Sequence, residues 1–167
     1  MAEAGFNASG SVLVAGTYDT KSRELNFIAD RLKSLGVSVI RVDLSTSGNA
    51  SSCEVSAADV GAFHADGVSA VQTGDRGTSV AGMSQAFEAW IQAASNVGGI
   101  ISAGGTGGTA LSTPAMRALP LGIPKIMIST VASGDVSAYV GASDIICLLY
   151  TSPSPRDLST SRMPSSA

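Results

Sequence analysis

A turn of four glycines and two threonines, Gly104-Gly105-Thr106-Gly107-Gly108-Thr109, constrains this chain more than any other stretch. The apolar Ile100-Ile101 leads into it, a helix-compatible segment leads out, and after Pro124 a second apolar run, Lys125-Ile126-Met127-Ile128, follows. Glycines between a strand and a helix let the backbone take positive φ and let another group come close to the main chain. The helix that starts there offers unpaired N–H groups and partial positive charge, which suit a phosphate or a carboxylate. The expectation is an anion-binding turn, for a nucleotide before other ligands. Tight packing of helix on strand is the alternative that the same residues allow.

The rest of the chain repeats this unit. Ser11–Ala15 is a short apolar run read as a buried strand, ending in the turn Gly16-Thr17-Tyr18-Asp19-Thr20-Lys21. Leu25, Ile28, Ala29, Leu32 and Leu35 recur at helical spacing, so 22–35 is an amphipathic helix stopped by Gly36, and 37–43 is a second strand. Strand, helix, glycine, strand is a βαβ unit with parallel pairing and a right-handed crossover. A Ser- and Asn-rich loop over 44–54 precedes a short helix at 55–63 and a turn centred on Thr73-Gly74-Asp75-Arg76-Gly77. A longer helix over 78–96 carries Val80, Met83, Phe87, Trp90, Ile91 and Ala94 on one face, which reads as core. Strands follow at 97–103 and 125–130, with a helix at 111–119 in which Pro114 must sit in the first turn or break it. Asp144-Ile145-Ile146 opens a fifth strand. The fold class expected is α/β, a Rossmann-like or flavodoxin-like doubly wound, mostly parallel sheet of four to five strands. Ligands in such sheets bind beyond the carboxyl ends of the strands, where the loops 16–21, 104–109 and 129–135 lie.

Composition excludes some function classes. A net charge of −3 gives no electrostatic reason to expect nucleic acid or an anionic membrane as partner. No apolar run is long enough to span a bilayer, and the first residues lack the cationic and apolar regions of a secretory signal, so a cytoplasmic location is expected. The two cysteines, Cys53 and Cys147, make no disulfide framework.

Three segments are expected. Residues 1–10 are small and polar and read as a flexible leader, and 11–146 form the α/β unit. Residues 147–167 form the third segment, whose composition changes from Thr151 onward to Ser, Pro, Thr and Arg. Cys147 to Asp157 resembles one reading frame of a transposon-type sequencing adaptor, and Ser161 to Ala167 resembles the same frame of the primer that follows it. On that reading the tail is not native, and 11–146 is the first part of a truncated larger protein.

Known motifs fit loosely. Gly105-Thr106-Gly107-Gly108-Thr109-Ala110 satisfies G-x-G-x-x-A, but Thr130 stands where a ribose-binding acid would be expected, so a nicotinamide cofactor is disfavoured. Ala15 to Ser22 ends in Lys-Ser like a P-loop, yet Ala15 and Thr20 replace both glycines. Lys21 reads either as a phosphate contact or as a solvated lysine, and Asp19 either as a water-mediated Mg²⁺ ligand or as a helix cap. Arg76 could hold a ligand anion through its fork of donors, or pair with Asp75 in the turn. His64 has no catalytic partner in the sequence and reads as a surface or core residue.

Val14-Ala15-Gly16-Thr17-Tyr18-Asp19-Thr20-Lys21, Gly74-Asp75-Arg76-Gly77 and above all the block from Gly104 to Gly141 resemble the tomato-mosaic-resistance-type ATP-binding domain family. The likeness covers about 11–146, with the look of the first of two tandem α/β subdomains. The resemblance implies ATP binding and a homo-oligomer, a dimer, in the full-length protein, and it implies no reaction; Mg²⁺ as a companion of the ATP rests on Asp19. The sheet-edge argument, not the resemblance, selects the candidate site: Gly16, Thr17, Asp19, Lys21, Arg76, Gly104, Gly105, Thr106, Gly107, Gly108, Thr109, Ser129 and Thr130. Two functions fit it. One is a regulatory nucleotide-binding module, or half of a site shared with a second subdomain. The other is an enzyme acting on a small phosphorylated or carboxylated metabolite.

Overall fold

A computed structural model of the chain describes residues 10–49 and 51–151. The leader up to residue 9 and the tail from 152 lie outside the described residues. Five strands, β1 (Ser11–Gly16), β2 (Val39–Asp43), β3 (Val97–Gly104), β4 (Lys125–Ser129) and β5 (Ile145–Leu149), form one sheet in the order β2-β1-β3-β4-β5. Every pairing is parallel, as the βαβ reading requires. The chain leaves β1 towards β2 on one side and β3 towards β4 on the other, so the direction of winding reverses between β1 and β3. That reversal opens a crevice at the carboxyl edge.

Helix α1 (Tyr18–Ser34) lies on one face of the sheet, while α2 (Ala57–Gly61), α3 (Arg76–Ala93) and α4 (Thr106–Ala118) lie on the other. Alternation along the strands divides the core accordingly. Leu13, Ala15, Val42, Ile100 and Met127 meet Met83, Phe87, Trp90, Leu111 and Met116 from α3 and α4. Val14 and Ala103 point the other way, towards Tyr18, Leu25 and Ala29 of α1. A short helix α5 (Ser137–Val140) joins β4 to β5. On β5 the side chains of Ile146 and Leu148 remain exposed. The strand runs through Cys147, Leu148 and Leu149, crossing the junction placed at 146 in the sequence.

Several boundaries differ from expectation for local reasons. α1 begins at Tyr18, not 22, because Thr17 O accepts the N–H groups of Thr20 and Lys21 and closes a turn ahead of a kink at Lys21. The backbone at Lys21 has φ −125° and ψ 20°, outside helical values. α4 begins at Thr106, so Gly107, Gly108 and Thr109 are helix and not loop. The helix also runs straight through Pro114. Proline removes the N–H that would bond the Ala110 carbonyl one turn back. The hydroxyl of Ser84, on α3, donates to the Ala110 and Leu111 carbonyls at 3.5 and 3.2 Å and so supplies the missing donor.

Candidate functional site

Three helices present their first turns to the crevice, and they differ in whether those turns are already satisfied. At α1, Asp43 at the end of β2 accepts the Tyr18 N–H at 3.2 Å, and the Ser45 hydroxyl accepts the Asp19 N–H at 3.0 Å. Ser45 is itself locked to Asp43 by its hydroxyl, at 2.5 Å, and by its N–H, at 2.9 Å. Both residues are buried. At α3, Asp75 is the cap: its carboxylate accepts the Thr78 N–H at 2.8 Å and the Thr78 hydroxyl at 3.0 Å. Those two bonds hold the Asp75 carboxyl below its ordinary range, the backbone N–H most of all. Asp75 therefore caps its helix and forms no pair with Arg76. At α4 the cap position is Gly105, which has no side chain to offer. Thr109 N–H reaches Gly105 O, while the N–H groups of Thr106, Gly107 and Gly108 have no acceptor among the described residues.

The glycines of α4 carry a second message. A Cβ placed on Gly107 or Gly108 would meet no atom within 4 Å, and neither residue has positive φ. Neither packing nor backbone conformation asks for glycine there. Each glycine in a helix costs about 1 kcal/mol relative to alanine. Gly16 is different: a Cβ on it would stand 2.8 Å from Leu25 Cδ1, so its smallness serves the packing of α1 on β1.

A cleft of about 700 Å³ lies between these helix starts. Of the residues expected in the site, Thr17, Asp19, Lys21, Arg76 and the run from Gly104 to Gly108 line it. Gly16, Thr109, Ser129 and Thr130 are set back from it. Thr109 and Ser129 are fully buried, and their hydroxyls bond each other at 2.6 Å while Thr109 also donates to Gly105 O at 2.8 Å. They pin α4 to β4 beneath the glycine turn. Thr130 stands beside Gly105 and donates its N–H to Gly104 O at 3.1 Å.

The charged groups of the cleft are unequal. Arg76 is exposed and makes no ion pair among the described residues. Asp19 is also exposed and caps no helix. Lys21 is engaged: its ammonium lies 3.2 Å from Glu24 Oε1 and 5.1 Å from the centre of the Tyr150 ring. The Glu24 carboxyl is held below its ordinary range by its own backbone N–H first, then by the Tyr150 hydroxyl and Lys21. No group of three or more His, Cys, Asp or Glu able to hold a metal occurs among the described residues, so Asp19 would meet Mg²⁺ only together with a ligand's own oxygens.

Thr46 and Ser47 also line the cleft and were missed. They follow β2, and the rule that ligands gather at the carboxyl ends of strands pointed to that loop as much as to the others. His64 sits away from the cleft, bonded through Nε2 to Gln85 Oε1 at 3.0 Å and through Nδ1 to the Asp66 N–H at 3.0 Å.

Residues 10–152 match the profile of a family described as "Uncharacterised protein family (UPF0261) N-terminal domain". A UPF0261 protein of Mesorhizobium japonicum is 46% identical over 138 residues, which cover 82% of this chain and 35% of the relative. One from Rhizobium meliloti is 44% identical over 138 residues, with the same coverage of 82% and 35%. The ToMV resistance protein Tm-1 of Solanum lycopersicum is 40% identical over 158 residues, covering 83% of this chain and 21% of that protein. The chain thus spans about a third or less of the length of these curated relatives.

Proposed function

This chain belongs to the UPF0261 family through its N-terminal domain, and on that footing we propose that it is an ATP-binding α/β module whose glycine turn receives the phosphates. The observation that carries the reading is the pair Gly107 and Gly108. They occupy the first turn of a helix at the cost of helix propensity, with open space where their side chains would be and with free N–H groups around them. A phosphate seated there would accept from Thr106, Gly107 and Gly108 and gain the field of the helix start. Arg76, exposed in the cleft lining, would supply a cation, and Asp19 a carboxylate for Mg²⁺ carried in with the nucleotide. In the full-length protein this half would join a second subdomain in a composite site and self-associate, with the bound nucleotide regulating that assembly or a partner.

Calorimetry with Mg-ATP on the chain and on Gly107→Val tests it. The isopropyl group would fill the phosphate seat, and affinity should fall by at least about tenfold, the loss of one or more charge-assisted hydrogen bonds. Unchanged affinity in the variant would sink the assignment.

A second reading, an enzyme for a small phosphorylated or carboxylated metabolite, is favoured by one feature. The hydroxyls of Thr17, Thr20, Thr46 and Ser47 line the cleft and could meet those of a polyol. Turnover of such a compound would move the assignment there.

A further inference from the structure

We propose that a recess between α1 and the end of β2 holds the sugar of the nucleotide and reads its vicinal hydroxyls, an inference that rests on the nucleotide reading of the adjoining cleft. The recess has a volume of about 200 Å³, and Asn26, Asp43 and Ser51 line it. It shares Asp19 with the large cleft. A space of that size takes one ring of a ligand, not a whole nucleotide. Its walls come from α1, the end of β2 and the segment after β2, so it owes nothing to the glycine turn of α4.

Two buried oxygens in this lining have bonding capacity unspent. Asp43 is 1% exposed, and Oδ1 alone carries its side-chain hydrogen bonds, from the Tyr18 N–H and from Ser45. Oδ2 accepts none among the described residues. Ser51 Oγ is buried with no hydrogen-bond partner among the described residues, although the Cys53 thiol, a weak acceptor, lies near it. Burying such groups unpaired is costly, so both ask for an occupant. Asn26 adds a donor whose orientation is fixed. The Arg41 guanidinium can only donate, so its 3.2 Å bond sets Asn26 Oδ1 towards it and leaves Nδ2 unspent. Arg41 is itself held by Glu54, at 3.0 Å through Nε, and donates to the Ser52 carbonyl at 2.8 Å, which ties the wall carrying Ser51 to β2.

A carboxylate oxygen accepts from hydroxyls, an amide N–H donates to their oxygens, and a serine hydroxyl does either. A vicinal diol answers all three. The face of a base asks instead for an apolar or aromatic surface, and the lining offers one ring, that of Tyr18, among small polar side chains. The reach also fits. β2 and β3 flank β1, so their ends lie two strand spacings apart, about 10 Å. With its phosphates at the start of α4, a triphosphate chain passing Asp19 bridges that gap.

Calorimetry on the chain with Mg-ATP, Mg-2′-deoxy-ATP, Mg-2′,3′-dideoxy-ATP and Mg-GTP tests the inference. A hydrogen bond to a charged group is worth about tenfold or more in affinity. The dideoxy compound should therefore bind at least about tenfold more weakly than ATP, with the 2′-deoxy compound between them. Exchange of adenine for guanine should cost less than loss of the two hydroxyls. Ser51→Ala breaks no hydrogen bond within the described residues, so the melting temperature should not fall. The variant should bind ATP more weakly and the dideoxy compound unchanged. Dideoxy-ATP that matches ATP overturns the inference and leaves nucleotide binding intact, with water alone in the recess. A larger penalty for GTP than for dideoxy-ATP overturns it in favour of a base there. Equal weakening of ATP and dideoxy-ATP by Ser51→Ala also contradicts it, since a purely structural serine would act so. Failure of all four nucleotides to bind overturns the nucleotide reading and the inference together.

Discussion

Lys125 shows how a single residue can be read correctly as part of a strand and still hide its role. It opens β4, is fully buried, and carries a charge. Its ammonium donates to Pro120 O at 2.8 Å, to Ile123 O at 3.0 Å and to Asp144 Oδ1 at 2.6 Å, which satisfies its three donors. Asp144 closes the arrangement by accepting the Gly122 N–H at 2.7 Å, and Lys125 before that N–H holds its carboxyl below the ordinary range. The lysine therefore staples the turn before β4 to the start of β5, at the edge of the sheet opposite the cleft. Lys125→Met keeps the volume but strands the Pro120 and Ile123 carbonyls, so it should cost about 1–3 kcal/mol. Chemical denaturation should show a lower midpoint with an unchanged slope. Nucleotide affinity measured below the transition should not move.

Elements were more legible than their ends. The succession of strands and principal helices along the chain followed from short apolar runs such as β1 and from the 3.6-residue period along α1 and α3. Helix starts were not legible, because side chains from distant segments set them: Asp43 and Ser45 for α1, and Thr109 with Ser129 beneath α4. Pro114 is the sharpest case. Its sequence signal is a helix break, and the donor that lets the helix continue, Ser84, lies thirty positions away on another helix. The candidate site was legible as a set of strand-end loops, since the sheet rule needs only the order of elements. What the sequence withheld was which hydroxyls turn inward, so Thr109 and Ser129 belong to packing while Thr46 and Ser47 face the cleft. Packing between elements also explains Gly82, which a helical pattern would let be alanine. A Cβ there would stand 2.3 Å from the Ala70 carbonyl oxygen, where α3 crosses the turn at Val68–Val71. Gly82→Ala should destabilise the chain by about 1–3 kcal/mol, although alanine is the better helix former. Thermal unfolding would show the loss, and a rise in melting temperature would refute the close contact.

At the scale of the whole molecule, five parallel strands aim the ends of β1, β2 and β3 at one crevice, and the helices that follow bring three N-termini to it. At α1 the first turn is closed by Asp43, Ser45 and Thr17 O, and at α3 Asp75 takes the Thr78 N–H. The third, at Thr106 to Gly108, is left open, and this asymmetry is the centre of the account. Among the described residues no helix is long and apolar enough to cross a membrane, and the cleft opens at the sheet edge. The matched part of the chain covers 35% of the length of the Mesorhizobium japonicum relative. The most direct test is an amide-resolved NMR titration of the chain with Mg-ATP. The N–H signals of Thr106, Gly107 and Gly108 should shift most, as they gain an acceptor they now lack, while those of Tyr18, Asp19 and Thr78, already bonded within the chain, should shift less. Saturable binding that leaves the Thr106 to Gly108 signals in place, or no binding, would contradict the account.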